Sequence, residues 1–91
     1  MAMIAVWSKV DEERIVPSLR DAMDKIDSAD GEITLDFSSV RRIDPATIGT
    51  LEELATRADE KKVKIVLRGV AVDVYKVLKL VKLTHRFSFT G

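Results

Sequence analysis

The residues best placed to do chemistry lie between Arg41 and Thr47, where two arginines precede an Asp-Pro pair. Asp44 is a good N-cap residue and Pro45 suits the first position of a helix, so a helix is predicted to begin there. The first N–H groups of a helix lack intrahelical partners and carry the positive end of its dipole. With Arg41 and Arg42 beside it, this helix start is a candidate site for an anion, either free phosphate or a phosphorylated hydroxyl. The alternative is a hydrated turn at the arginines and a simple cap at Asp44.

Catalytic and metal-binding patterns are weak in comparison. Triad chemistry requires a base beside a nucleophile, and the one histidine, His85, is predicted to lie in a loop after the third helix. The sequence has no cysteine, and Glu52 and Glu53 are adjacent, so their side chains diverge around a helix instead of converging on a metal ion. The sequence contains neither of the two glycine-rich phosphate-binding motifs, Gly-x-x-x-x-Gly-Lys-(Ser/Thr) and Gly-x-Gly-x-x-Gly. We therefore expect a protein that is not an enzyme and holds no cofactor or metal.

Composition excludes several further classes of function. The 15 basic and 15 acidic residues balance, so no net charge attracts the chain to nucleic acid or an anionic membrane. An aromatic share of 5% is low for a surface that stacks bases. The amino-terminal residues lack the basic start and long apolar stretch of a secretory signal, and no apolar run approaches the ~20 residues of a membrane span. These features favour a single cytoplasmic domain over residues 1–91, without direct membrane insertion.

Hydrophobic periodicity predicts alternating strands and helices. A first strand is expected from Ile4 to Trp7, and a first helix has Pro17 in its first turn and stops at Asp30-Gly31. Alternating apolar residues from Ile33 to Phe37 predict a second strand. The remaining expected elements are a helix from Pro45, a strand over Lys64–Arg68, a helix around Val74–Val81 and an edge strand with Phe87 and Phe89.

The expected core follows from the same spacing. The inward residues of the first helix are predicted to be Leu19, Met23 and Ile26. Those of the second helix are predicted to be Ile48, Leu51, Leu54, Ala55 and Ala58, and those of the third Val74, Val77, Leu78 and Val81. The order β-α-β-α-β-α-β favours an α/β fold with a mostly parallel sheet, right-handed connections and helices mainly on one face.

The segment Leu35-Asp-Phe-Ser-Ser-Val40, followed by Asp44 to Gly49, resembles the signature of STAS domains, the family of anti-sigma-factor antagonists. In that family a strand leads to an Ile-Asp-Ser-Ser-Gly-Leu-Gly loop whose second Ser is phosphorylated. The stretches Asp11–Leu19 and Val66–Leu80 also resemble family patterns, so the resemblance covers nearly the whole chain. It implies a STAS-like single domain.

The loop comparison can be made residue by residue. Asp44 matches the family Asp, and Pro45 and Ala46 stand at the two Ser positions. Thr47, Ile48 and Gly49 take the positions of the first Gly, the Leu and the second Gly. Ala46 has no hydroxyl, so the resemblance implies that the usual phosphorylation switch cannot operate there. Thr47 is the nearest hydroxyl, and it is either an ordinary first-turn residue or a relocated phosphorylation site.

Three functional hypotheses follow. The leading one is a non-catalytic interaction module that binds an anti-sigma factor or Ser kinase through Asp44–Gly49 and the second helix, serving signal transduction and transcription regulation in bacteria. The alternative is an accessory subunit that binds the ATPase of a phospholipid-transporting ABC system, because Gly69-Val-x-x-x-Val-Tyr-x-x-x-Lys resembles such STAS subunits. The third is a nucleotide- or anion-binding module that uses Arg41 and Arg42.

Overall fold

A computed structural model describes residues 6–29 and 31–91, and Ile4 and Ala5 of the predicted first strand lie outside these ranges. The described strands and helices run in the order β1 (Val6–Lys9), α1 (Ile15–Ile26), β2 (Glu32–Asp36), α2 (Pro45–Lys61), β3 (Lys64–Arg68), α3 (Val72–Leu80), a short 3₁₀ helix (Thr84–Arg86) and β4 (Ser88–Thr90). This alternation confirms the predicted α/β fold. Phe89 lies in β4 as predicted, whereas Phe87 precedes that strand.

The four strands pair in the order β1-β2-β3-β4, and each pairing is parallel. Each connection between neighbouring strands contains a helix, and right-handed connections in this order place all three helices on the same face of the sheet. The register aligns Leu35 with Leu67 on that face and Thr34 with Val66 on the other. The prediction of helices mainly on one face is confirmed.

Burial distinguishes the two faces of the sheet. Ile33, Leu35 and Leu67 are buried beneath the helices, whereas Lys64 and Arg68 on the opposite face are exposed. The core also takes one face from each helix; its largest fully buried side chains include Leu19 and Ile26 of α1, Leu51 and Leu54 of α2, and Leu78 of α3. Burial of apolar area between the helical layer and the sheet is the main stabilising term for such a two-layer fold.

The first helix follows the sequence prediction at its start and departs from it at its end. Pro17 is the third residue of α1, where its missing N–H costs no intrahelical bond. The helix ends at Ile26, before the predicted stop, and the Ala29 N–H donates to the Ile26 carbonyl at 3.1 Å. Ile26 is the last apolar residue of the buried stripe, so packing no longer supports the helix beyond it.

The third helix corrects two predicted core residues. Val74 and Leu78 are buried as expected, but Val77 is only half-buried and lies outside the core. Val81 follows the last helical residue and is 39% exposed. The reason lies in Lys82, whose φ of 62° turns the chain left-handed, so that the Leu83 N–H donates back to the Leu78 carbonyl at 2.8 Å. This closing bond resembles a Schellman motif and brings Leu83 into the core in place of Val81.

Among the described residues, no helix is both long enough and apolar enough to cross a membrane.

Candidate functional site

The start of α2 is held by one carboxylate. Asp44 has an extended backbone, and its Oδ1 accepts a hydrogen bond from the Thr47 N–H at 2.8 Å. Its carbonyl oxygen accepts from the Ile48 N–H at 3.0 Å, and Pro45 occupies the first helical position. Both features match the predicted N-cap and first-turn proline. The cap fixes where the helix begins and so which side chains its first turn exposes.

Two aspartates that border the β2–α2 connection have lowered pKa values. The Thr47 backbone N–H is the largest cause at Asp44, and the Thr47 side chain adds a second hydrogen bond that lowers the pKa of this carboxyl further. At Asp36 the pKa is lowered first by the side chain of Ser38 and then by its backbone N–H, with Arg68 and Lys9 adding attraction. Both carboxylates therefore stay ionised at neutral pH and hold the two ends of the connection in shape.

The six predicted partner-binding residues, Asp44 to Gly49, separate into an exposed and a less exposed group. Asp44, Pro45 and Ala46 are exposed, and Ala46 presents a methyl group where the family pattern has a hydroxyl. Thr47 is only 2% exposed, Ile48 is half-buried against the core and Gly49 is half-buried. A kinase could reach the Thr47 hydroxyl only after the first turn of α2 opened. This burial argues against Thr47 as a phosphorylation site.

Gly49 lies on the outer side of α2, and none of the described residues packed around it requires a glycine there. A Cβ built at this position meets no atom within 4 Å beyond its own stretch of helix. Glycine inside a helix costs about 0.5–1 kcal/mol relative to alanine. No packing contact within the described fold accounts for this loss of stability. A glycine in such a position is typical of a site where another molecule approaches the helix backbone closely.

A shallow groove of about 470 Å³ continues from Gly49 along the outer side of α2 towards α1. The residues that line it are Met23, Gly49, Glu52, Glu53, Thr56, Arg57 and Glu60. Arg57 and Lys61 form ion pairs with Asp27 of α1, at 3.7 Å each, at the far end of the same two helices. The groove is thus small and apolar on its floor and mainly acidic on its rim.

At the predicted anion site the helix start itself offers few free backbone donors. Arg41 and Arg42 are exposed, but Asp44 already accepts the Thr47 N–H and places its own negative charge at the helix start. Pro45 has no N–H to offer, and an anion would meet repulsion from the ionised Asp44. The simple cap is therefore the better interpretation of this helix start.

Sequence reasoning missed Thr50, and it assigned Met23 to the core without its place in the groove. The Thr50 hydroxyl donates to the Ala46 carbonyl at 2.9 Å, so this polar side chain can be buried at 4% exposure. Thr47 and Thr50 thus complete the inner side of the first turns, which apolar periodicity could not indicate. Met23 was predicted as core, but its position at the floor of the groove depends on how α1 and α2 pack.

Other candidate chemistry is not assembled by the fold. His85 is exposed in the 3₁₀ helix, and Glu52 and Glu53 are both exposed on α2. Within residues 6–29 and 31–91 no group of three or more His, Cys, Asp or Glu side chains is placed to hold a metal ion.

Comparison with known proteins gives the same fold at low sequence identity. A Thermotoga maritima crystal structure, of a protein provisionally assigned as an anti-sigma factor antagonist, superposes with a TM-score of 0.76 at 18% identity, covering 99% of this chain and 83% of that one. A sulfate transporter family protein from Wolinella succinogenes gives a TM-score of 0.77 at 16% identity, covering 98% of this chain and 80% of that one. No curated protein matches the sequence significantly. At these identities the structures show a shared fold.

The family is shown by a separate match. The family model described as "Mlab, STAS domain" matches residues 3–89, nearly the full length of the chain. The predicted STAS resemblance is thereby confirmed. This chain belongs to the STAS domain family.

Proposed function

We propose that this protein is a non-catalytic interaction module that binds a regulatory protein through Asp44–Gly49 and the outer side of α2. The observation that carries the proposal is the start of α2, whose exposed residues bear no hydroxyl: Ala46 is exposed, and Gly49 presents no side chain on the outer side of the helix. Small residues allow a partner to approach a helix backbone closely. STAS domains of the anti-sigma-factor-antagonist type use the corresponding loop for docking, which supports the same surface here.

Binding is proposed to work without the family's phosphorylation switch. In that switch a phosphate adds about two negative charges to a packed surface and breaks the contact. Ala46 cannot accept a phosphate, and Thr47 beside it is 2% exposed. Binding would then be controlled by the amount of partner or by a different trigger. We place this interaction in the cytoplasm.

The partner in this first version is an anti-sigma factor or Ser kinase of the switch type. The test is to mix the purified protein with such a kinase and ATP, and to compare it with the variant Ala46→Ser. The wild-type protein should bind the kinase and take up no phosphate. Ala46→Ser should be phosphorylated and then released, because it restores the missing hydroxyl at an exposed position.

Two controls make this experiment decisive. Ala46→Asp should keep or slightly raise thermal stability, because an acidic residue in the first turn favours the helix dipole, yet it should abolish binding. Stoichiometric phosphate on Thr47 of the wild-type protein would refute the unswitched mechanism. Unchanged binding by Ala46→Asp would remove the start of α2 from the docking surface.

A second candidate partner is the ATPase of a phospholipid-transporting ABC system. It is favoured by the family match, which carries the name Mlab, and by the segment Gly69–Lys79, which resembles the STAS subunits of such systems. In this case the protein should co-purify with the ATPase and change its rate of ATP hydrolysis. Ala46→Asp should again abolish the effect, so the two candidates share a surface and differ in the partner. Genes beside the coding sequence discriminate between them: kinase and sigma-factor genes favour the first candidate, and transporter genes favour the second.

A further inference from the structure

The charges of this chain are unevenly distributed along the sequence, although their sum is zero. Of the 15 acidic residues, 14 precede Lys62 and one, Asp73, follows it, whereas residues 62–91 hold seven of the 15 basic residues. The field at a surface depends on where the charges lie and not on their sum alone. Residues 62–91 are basic, so the net charge does not exclude an anionic partner for this part of the molecule.

The same part of the molecule carries most of the exposed large apolar side chains. Within residues 6–29 and 31–91 there are five such side chains, and four of them lie on α3 or directly after it: Val72, Tyr75, Leu80 and Val81. Leu80 has the highest exposure, at 81%. Exposed apolar side chains gathered on one element are typical of a surface that another molecule covers, whereas single ones are ordinary.

The packing of α3 explains why Leu80 projects outward. Val74 and Leu78 hold the inner side of the helix at 0% exposure. The Leu83 N–H donates to the Leu78 carbonyl at 2.8 Å, so the chain turns back into the core directly after the helix. Leu80 is the last helical residue and, at 3.6 residues per turn, it faces away from Val74 and Leu78. The fold thus fixes it as an apolar projection at the end of α3.

Lysines lie around this projection. Lys76, Lys79 and Lys82 are all exposed, and each lies within about one helical turn of Leu80 along the chain. The acidic residue of α3, Asp73, is also exposed, but it belongs to the first turn of the helix. It precedes Leu80 by about 10 Å along the helix axis. The carboxyl-terminal end of α3 is therefore apolar and basic, and its amino-terminal end is not.

The neighbouring elements do not reverse this charge. In the 3₁₀ helix after α3, Arg86 is paired with Asp59 of α2 at 2.9 Å, so the Asp59 carboxylate is already neutralised. Arg57 and Lys61 of α2 pair instead with Asp27, on the side of α2 that faces α1. The lysines of α3 are thus the cations of this surface that face solvent without an ion pair in the described residues.

We propose that the carboxyl-terminal end of α3 binds the surface of an anionic lipid bilayer. Leu80 and Val81 enter the headgroup region, and the three lysines contact acidic headgroups. Charge complementarity selects an anionic occupant, because each lysine near such a surface adds to the attraction. Lysine stems can lie along apolar surface while the ammonium groups stay at headgroup level. This is adsorption at the interface and requires no helix that spans the membrane.

The shape of this surface favours a bilayer over an acidic protein. The depression beside Leu80 is lined by Lys76, Lys79 and Leu80 of the same helix, so no second element supplies an opposite wall for a partner's side chain. The core of a protein interface packs as densely as a protein interior and requires matching shapes. A fluid bilayer adapts to a single projecting side chain and requires no groove.

This surface is distinct from the proposed docking surface, so the inference goes beyond the proposed function and does not rest on it. Helices α2 and α3 each connect parallel strands and therefore run in the same direction. The start of α2, with Ala46, and the end of α3, with Leu80, lie at opposite ends of the helical layer. Both can be occupied at once, and the protein would then hold its regulatory partner at a membrane.

Flotation of the full chain with lipid vesicles tests the proposal. The probe is a vesicle of equal parts phosphatidylglycerol and phosphatidylcholine at millimolar lipid, and the comparison is pure phosphatidylcholine. The protein should float with the anionic vesicles and stay behind with the neutral ones. The bound fraction should fall as salt rises from about 0.05 M to about 0.5 M, because salt screens the lysines from the headgroups.

The basic contribution is tested by Lys76→Gln/Lys79→Gln. Each lysine is expected to contribute about fivefold to vesicle affinity, so the double variant should lose roughly twentyfold. The matched control Lys9→Gln/Lys64→Gln removes the same charge from the open face of the sheet and should change the affinity less than about twofold. Circular dichroism should show both variants folded, because all four lysines are exposed.

The apolar contribution is tested by two substitutions at the two ends of α3. Leu80→Gln should lower the vesicle affinity about tenfold, because the polar side chain no longer enters the headgroup region. The control Val72→Gln changes a side chain that is 69% exposed but lies beside Asp73, and it should lose less than about twofold. Gly49→Ala, on the docking surface, should float like the wild type.

Several outcomes would overturn the proposal. One is a wild-type protein that does not float with anionic vesicles at low salt, or that floats equally with neutral ones. Another is an equal loss for Leu80→Gln and Val72→Gln, or for the two lysine pairs. Binding that soluble polyglutamate removes and that Leu80→Gln leaves unchanged would assign the surface to an acidic protein instead. Partner binding by Ala46→Asp is measured separately, so failure here leaves the proposed docking function untouched.

Discussion

Packing within the fold explains the residue types on the inner side of α2 but not those on its outer side. On the inner side Leu51 and Leu54 are fully buried, and even Thr50 is satisfied by a bond to the helix backbone. On the outer side Ala46 is exposed, and among the described residues a Cβ at Gly49 would meet no atom within 4 Å beyond its own helix. The inner residues are therefore accounted for by the fold, and the outer residues require a reason outside the chain.

Two glycines sharpen this contrast. Gly69 has a φ of 69°, and a Cβ there would lie 3.1 Å from the Ser38 Cβ, so the joint between β3 and α3 needs a glycine. Gly49 has ordinary helical geometry and open space around it. A glycine that the monomer does not need is a stronger indication of function than one that it does.

The largest effect is expected on the inner side. Leu54→Ala removes a fully buried side chain and should lower the free energy of unfolding by about 2–5 kcal/mol, because it leaves a cavity in the core. Glu53→Ala, its exposed neighbour, should change it by less than about 0.5 kcal/mol. Urea titration of both variants checks this, and equal losses would mean that the two sides of the helix are not distinct.

Gly69→Ala should have the next largest effect. The left-handed backbone and the close Ser38 Cβ should together lower the free energy of unfolding by about 1–3 kcal/mol. The comparison with Gly49→Ala in the same urea titration makes the test, since the same chemical change should have opposite signs at the two glycines. A neutral Gly69→Ala would show that this joint relaxes easily.

A smaller, pH-dependent loss is expected for Asp44→Ala. The pKa of Asp44 is lowered in the folded protein, so its contribution to stability is complete above the unfolded carboxyl's pKa of about 3.9 and is lost as pH falls through the folded value. The difference in Tm between the wild type and Asp44→Ala should therefore shrink on acidification. Asp44→Asn keeps a cap without the charge, so it should lose less stability at neutral pH. A constant difference from pH about 6 to about 2 would contradict the charge contribution.

The smallest effect on stability is expected at Gly49, and it should be favourable. Gly49→Ala should raise the free energy of unfolding by about 0.5–1 kcal/mol, because the Cβ enters open space and alanine is the better helix former. The same variant should bind the protein partner more weakly, since the added methyl lies on the docking surface. Calorimetric Tm and a binding titration measure the two effects separately. A variant that gains stability and keeps full affinity would leave Gly49 unexplained.

Much of the fold could be predicted because apolar spacing is a local signal. Leu19, Met23 and Ile26 at helical spacing, and Ile33 and Leu35 in alternation, are buried as expected. The ends of helices were harder to predict, because the chain turns left-handed at Lys62, directly after α2, and at Lys82, two residues after the end of α3, with φ of 57° and 62°. Sequence signals for such ends rely on glycine, and a lysine in a left-handed turn gives none.

At the candidate site, the residue at which α2 begins could be predicted from the sequence, but the exposure of each side chain could not. The Asp44 cap, the proline after it and the exposed start of the helix follow from residue types with known preferences. The burial of Thr47 depends on how the first turn of α2 packs against the core, which no local pattern encodes. Docking itself remains a prediction.

The open face of the sheet has a practical consequence. Trp7, the sole tryptophan, lies there at 51% exposure, on the side of β1 away from the helices. The fluorescence maximum of Trp7 should stay unchanged when a ligand binds to the helical layer. It should shift only when a ligand covers the open face of the sheet. The molecule thus contains an intrinsic optical reporter that distinguishes occupancy of one side from occupancy of the other.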